Sequence, residues 1–93
     1  MTTPPLNSET GAMALPQVRA IYEANREQRA SLAKGNADML TGTMASARVM
    51  TGAYDSRILM WLANWEPHVV AVIAGWVERA YEAGKAAGGG GDG

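Results

Sequence analysis

Few residues in this chain could carry chemistry: there is one histidine, His68, no cysteine, and serines such as Ser46 and Ser56. Without cysteine or a second histidine, a metal site would need carboxylates alone to complete it, and no disulfide can form. His68 is the only base that could activate Ser46 or Ser56, and no sequence pattern links it to either serine. The phosphate-binding loop, the dinucleotide-binding glycine pattern and the His-Glu-x-x-His zinc motif are absent. We therefore expect no enzyme activity, no cofactor and no metal.

The arginines are the other side chains with a recognisable chemistry, because they could contact nucleic-acid phosphates. Arg26 and Arg29 share a helical face, but Glu23 and Glu27 are interleaved with them. The net charge of −1 gives no long-range field that would attract nucleic acid or an anionic membrane. A small nucleic-acid-binding regulatory protein that uses Arg19, Arg26 and Arg29 is an alternative interpretation, and nucleic acid is not the expected partner.

Length and composition bound the elements that must position these residues. Apolar residues make up 47% of the 93-residue chain and charged residues 18%, which is typical of a folded domain. Prolines and scattered polar residues predict a flexible N-terminal arm over residues 1–15, and the glycine-rich residues 85–93 predict a flexible tail. The domain between them, 16–84, is close to the roughly 70–80 residues below which one core rarely suffices without a partner.

The first and third of three predicted helices have clear boundary signals. Pro16 suits the first position of a helix, and Gly35 suits the left-handed residue just beyond its end, so the first helix is predicted over 16–34. The third is predicted to begin around 64–67, where Pro67 is tolerated in a first turn. It should end near Ala83, because Gly84 could supply its left-handed cap.

The second predicted helix carries an unbroken heptad pattern. Its positions are spaced 4, 3, 4, 3, 4, 3, 4 and are almost all apolar, namely Leu40, Met44, Ala47, Thr51, Tyr54, Ile58, Trp61 and Trp65. This pattern predicts one long helix with a kink near Gly52. The alternative is two helices with a break at Gly52, the second of which would be capped by Asp55 or Ser56 and begin near Arg57.

These three helices predict an all-α fold. The short connection between the second and third makes them antiparallel neighbours, so we expect a helical hairpin with the N-terminal helix across it, similar to a three-helix bundle. The three tryptophans are expected at the corner of this hairpin. The third helix is apolar nearly all round, which predicts more burial than one hairpin provides. The predicted interaction surface comprises Tyr54, Ile58, Trp61, Trp65, Val69, Ile73 and Trp76.

The sequence thus predicts a non-enzymatic helical module for protein–protein interaction or assembly, which self-associates through its second and third helices. The expected partner is a second copy of the chain, forming a dimer, or another helical protein. A peripheral membrane-binding protein is a second alternative, but the polar side of the third helix lacks the usual excess of lysine and arginine. No secretory signal or membrane-spanning stretch is visible, which predicts a cytoplasmic location.

One segment resembles a known group of proteins. Residues 58–67 read Ile-Leu-Met-Trp-Leu-Ala-Asn-Trp-Glu-Pro, and Val72-Ile73-Ala74-Gly75 and Arg79-Ala80 follow. This stretch of about 25 residues is similar to a W-L-x-x-W-E-P…V-I/V-A-G pattern in short, uncharacterised helical proteins of actinobacteria and their phages. The resemblance implies an actinobacterial or phage origin and carries no activity with it.

Overall fold

A computed structural model describes residues 3–88 and shows an all-helical fold, as predicted, with no strand among those residues. Five α-helices follow one another within this range. They are α1 (Glu9–Met13), α2 (Pro16–Arg26), α3 (Leu32–Ser46), α4 (Ala53–Leu62) and α5 (Pro67–Gly88). The start predicted at Pro16 is therefore confirmed, and α5 begins at Pro67, within the predicted range 64–67. The predicted tail begins inside α5, and its residues 89–93 lie outside the described part of the chain.

The predicted first helix is wrong at its C-terminal end, because α2 stops at Arg26 rather than at residue 34. Gln28 adopts a left-handed backbone conformation with φ 60°, and the Arg29 N–H donates to the Ala24 carbonyl at 2.9 Å. This is the geometry of a helix C-cap, here built without glycine. Ser31 then caps α3 by accepting a hydrogen bond from the Lys34 N–H at 3.0 Å.

The segment predicted as one long second helix forms two helices, so the alternative with a break is confirmed, but α4 begins at Ala53 and not near Arg57. The first ends earlier than Gly52, because Arg48 takes the left-handed position with φ 61°. The Val49 N–H donates to the Met44 carbonyl at 2.9 Å and so ends the helix. Gly52 is the N-cap of α4, and its N–H donates to the Asp55 carboxylate at 2.9 Å. Asp55 therefore lies inside the first turn and is not the cap itself.

The packing of the helices also differs from a simple hairpin. The helix α5 packs mainly against α3, with α1 and α2 also on α5 and with α4 on α3. The core cluster brings together Leu40, Leu59 and Val70, one from each of α3, α4 and α5. Gly84 lies inside α5 and does not end it. The fold measures 46 × 32 × 18 Å, about two helix diameters in its thinnest direction, so peripheral helices keep one face open.

Residues 3–15, for which the sequence predicts a flexible arm, lie against the rest of the fold. Thr3 is buried, its N–H donates to a Glu78 carboxylate oxygen at 2.9 Å, and its carbonyl accepts from Arg79 at 3.0 Å. Gln17 of α2 donates to the Thr3 hydroxyl at 3.1 Å. Because α1 contributes the buried Ala12, this segment covers part of α5.

Candidate interaction surface

The helix α4 is attached to the fold along one side only. Leu59 is its buried residue, and Leu62 is partly buried against the same cluster. Tyr54, Ile58 and Trp61 follow the i, i+4, i+7 spacing that places side chains on one helical face, and Tyr54 and Ile58 also border the groove between α4 and α3. Tyr54 is 70% exposed, Trp61 57% and Ile58 39%. A helix of ten residues thus presents a row of large apolar side chains to solvent.

Trp65, just beyond the end of α4, extends this row. Its backbone N–H donates to the Leu62 carbonyl at 3.0 Å, so the chain continues to turn in the helical sense. The Trp61 and Trp65 rings meet edge to face, with centroids 5.9 Å apart and an interplanar angle of 79°, a favoured geometry for two aromatic rings. Tyr54, Ile58, Trp61 and Trp65 are hereafter the α4 aromatic surface.

A buried amide from α3 holds the turn that carries Trp65. The Asn36 side chain is fully buried, and its Nδ2 donates to the carbonyls of Ala63 at 2.9 Å and Trp65 at 2.6 Å. Carbonyls at a helix C-terminus have no partner within the helix, so this amide supplies the missing donors. Asn36 is therefore a positioning residue for the α4 aromatic surface.

Sequence reasoning missed Asn36, although a signal was present. The heptad pattern begins at Leu40, and Asn36 lies four residues earlier, a spacing that also places two side chains on the same helical face. The buried face of α3 is Asn36, Leu40 and Thr43. A short amide on the buried line of a helix signals a polar group that needs a partner.

The remaining predicted surface residues lie on α5, in a second group. Val69, Ile73 and Trp76 share one helical face and line a groove of about 390 Å³ between α5 and the N-terminal segment, with Leu6 and Glu9 on the opposite wall. Trp76 is 58% exposed. The expectation that all three tryptophans meet at one corner is wrong, because Trp76 is nine residues into α5, roughly 14 Å along its axis from Pro67.

His68 lies at the same junction of α1 and α5. Its side chain is mostly buried, and its Nε2 lies 3.4 Å from a Glu9 carboxylate oxygen and 3.9 Å from one of Glu66. Ser56 instead lines a groove between α3 and α4. Within residues 3–88 no group of three potential ligands could hold a metal ion. The contacts of His68 with Glu9 and Glu66 link the N-terminal segment to the start of α5.

The arginines of the alternative nucleic-acid interpretation lie on or just after α2. Arg19 and Arg26 are exposed on α2, and Arg29 pairs with Glu27 at 2.7 Å, with both side chains exposed. An exposed pair of this kind contributes little to stability, and its carboxylate reduces the positive potential that a phosphate would meet.

Two further findings bear on function. No helix within the described residues 3–88 is long and apolar enough to cross a membrane. Comparison of the chain with protein-family models, with curated proteins and with solved structures gave no match.

Proposed function

We propose that this protein is a non-enzymatic helical interaction module that self-associates through the apolar side chains of α4 and α5. The observation that carries the proposal is the α4 aromatic surface, which stands free of the fold's own core. Aromatic side chains, tryptophan and tyrosine above all, are the residues that supply most of the binding energy in protein interfaces. Three such residues lie within a stretch of twelve.

The same surface is a poor candidate for a purely structural role. The core cluster uses Leu59 and Leu62 from this part of the chain, so α4 is attached without its aromatic residues. Leaving large aromatic side chains in water forgoes about 25 cal/mol for each Å² of apolar area that burial would remove. A partner that covers them recovers this free energy, and a second copy of the chain provides a matching apolar surface.

The proposal is tested by sedimentation velocity and equilibrium across a concentration series up to tens of micromolar. We expect a reversible monomer–dimer equilibrium. Substitution of Trp61 by alanine should raise the dimer Kd by about 30-fold or more, since an interface hot spot is worth about 2 kcal/mol. Circular dichroism should show unchanged helix content, because the ring is more than half exposed.

Met50 offers the matched control. It is apolar and 93% exposed, but it lies in the turn before α4 and off the proposed surface. Met50→Ala should leave the dimer Kd unchanged. A well-folded wild-type monomer throughout the concentration series would overturn the proposal, as would equal effects of Trp61→Ala and Met50→Ala.

A further inference from the structure

The α4 aromatic surface has a spacing that reads the same in both directions. Tyr54, Ile58, Trp61 and Trp65 are separated by 4, 3 and 4 residues. A homodimer with two-fold symmetry uses the same patch on both subunits, so residue i contacts residue j and j contacts i. When two copies of this row lie antiparallel, Tyr54 faces Trp65 of the partner subunit and Ile58 faces Trp61 of the partner subunit.

The placement of this row on α4 leaves room for a second helix. At about 100° per residue, Tyr54, Ile58 and Trp61 lie within a sector of roughly 60° on α4, and Trp65 follows in the turn beyond its C-cap. Leu59, which attaches α4 to the core, lies about 130° from the middle of that sector. Trp61 therefore points away from the fold, whereas Tyr54 and Ile58 border the groove between α4 and α3. The row contains no charged residue that docking would have to desolvate.

Side-chain size favours the antiparallel arrangement over the parallel one. In the antiparallel pair each tryptophan meets a smaller side chain, so the thickness of the interface is even along the helices. A parallel pair would place Trp61 against Trp61 of the partner subunit and Ile58 against Ile58 of the partner subunit. The space between the helices would then be too small at the tryptophans and too large at the isoleucines. Facing positions pack best when large and small residues interdigitate, and antiparallel helices also oppose their dipoles favourably.

The available area suits a dimer of this kind. Tyr54, Trp61 and Trp65 are 70%, 57% and 50% exposed, and at about 150–250 Å² for a whole aromatic side chain they leave about 300–400 Å² open. Two copies thus contribute about 600–800 Å² of aromatic surface, more than half of the roughly 1,000 Å² that a biological interface should exceed. Ile58 and the exposed Met60 beside it add to this area.

We propose, resting on the self-association proposed above, that two copies pair through antiparallel α4 helices about a two-fold axis between Ile58 and Trp61. The chain contains no cysteine, so a substituted cysteine is a unique chemical probe. Arg57 in α4 and Asn64 in the turn just after it are both exposed, and continuing the helical rotation into this turn places them on the same flank of the row, about 20° apart. Neither belongs to the α4 aromatic surface.

The experiment mixes the variants Arg57→Cys and Asn64→Cys and treats them with a short bismaleimide. In the antiparallel pair, position 57 lies about 3 Å along the axis from position 64 of the other subunit, whereas two copies of position 64 are about 14 Å apart. We therefore expect the mixed 57–64 product in large excess over the 64–64 product. Mass spectrometry separates the products because the two variants differ in mass.

The outcomes separate this inference from the proposal on which it rests. A 64–64 product as abundant as the mixed one, from protein that sediments as a dimer, overturns the antiparallel pairing and leaves self-association standing. A dimer that gives no cross-linked product, or that is weakened by Trp76→Ala and not by Trp61→Ala, moves the interface away from α4. A monomer in sedimentation overturns both.

Discussion

Replacement of Asn36 by alanine tests the physical account of how α4 and its turn are held. The side chain is fully buried and donates two hydrogen bonds, to Ala63 and Trp65. Its Oδ1 has no hydrogen-bond partner within the described residues, so the amide is held by its donors alone. Alanine removes both donors and leaves two carbonyls at the end of α4 without them.

The magnitude follows from these contacts. The Ala63 carbonyl is buried, so the loss of its donor costs about 1–3 kcal/mol; the part-buried Trp65 carbonyl adds about 1 kcal/mol, and removal of the unpartnered Oδ1 returns about 1 kcal/mol. Alanine is also the better helix former by several tenths of a kcal/mol. We expect Asn36→Ala to lower the free energy of unfolding by about 2 kcal/mol, which lowers the melting temperature by about 8–16 °C in a domain of this size.

The isosteric variant Asn36→Asp sharpens the test. Aspartate has the same size as asparagine, but a carboxylate oxygen replaces the NH2 group that donates to the Ala63 and Trp65 carbonyls. This oxygen carries an unpaired charge and is repelled by both carbonyls. The loss should exceed that of alanine and reach about 3–5 kcal/mol. Chemical denaturation followed by circular dichroism measures both variants at one protein concentration, because self-association adds to the apparent stability.

Asn64 supplies the matched control, since it is an exposed asparagine whose amide donates to the Met60 carbonyl at 3.3 Å. Asn64→Ala should change the free energy of unfolding by no more than about 0.5 kcal/mol. If Asn36→Ala also falls within that range, the two buried hydrogen bonds do not hold the turn and the reasoning is refuted.

Further predictions concern backbone positions. Gly35→Ala should destabilise by about 1 kcal/mol net, because a Cβ there would lie 2.9 Å from both γ carbons of Ile21, a stiff β-branched side chain. Gly42→Ala, where nothing lies within 4 Å of the added Cβ, should instead stabilise by about 1 kcal/mol, and thermal melts that rank the two alike would contradict the close packing of α2 on α3. Gln28→Gly and Arg48→Gly should each stabilise by up to about 1 kcal/mol, since both residues have a positive φ; Arg48→Ala should give no gain in the same denaturant titration.

The helix ends show most clearly which parts of the fold can be predicted from the sequence. The start at Pro16 and a start within 64–67 are predictable from the sequence, because proline has a fixed φ and lacks the N–H that a first turn does not need. Two stops were missed because the left-handed positions are held by Gln28 and Arg48. Glutamine and arginine are good helix formers, so nothing local marks either as an end.

Two glycines are also poor guides to the helix ends, because their local sequence does not show what the glycine is needed for. The sequence predicts a helix end at Gly35, but this glycine lies in the first turn of α3, where its missing Cβ lets Ile21 of α2 approach. The sequence also predicts a helix end at Gly84, which lies within α5. A glycine that provides close packing and one that provides a left-handed turn look alike in a sequence, and only the neighbouring element tells them apart.

The sequence by itself determined the helical class, two of the helix starts and the apolar face of α4, because helical periodicity and proline geometry are local properties. It also determined the 4-3-4 row that makes the proposed dimer symmetric. The tertiary structure alone decided that this face stays open and that Trp76 lies apart from Trp61 and Trp65. It also decided that Asn36 holds the turn that carries Trp65. Which side of an amphipathic helix is covered depends on residues distant in the chain, and no local pattern contains them.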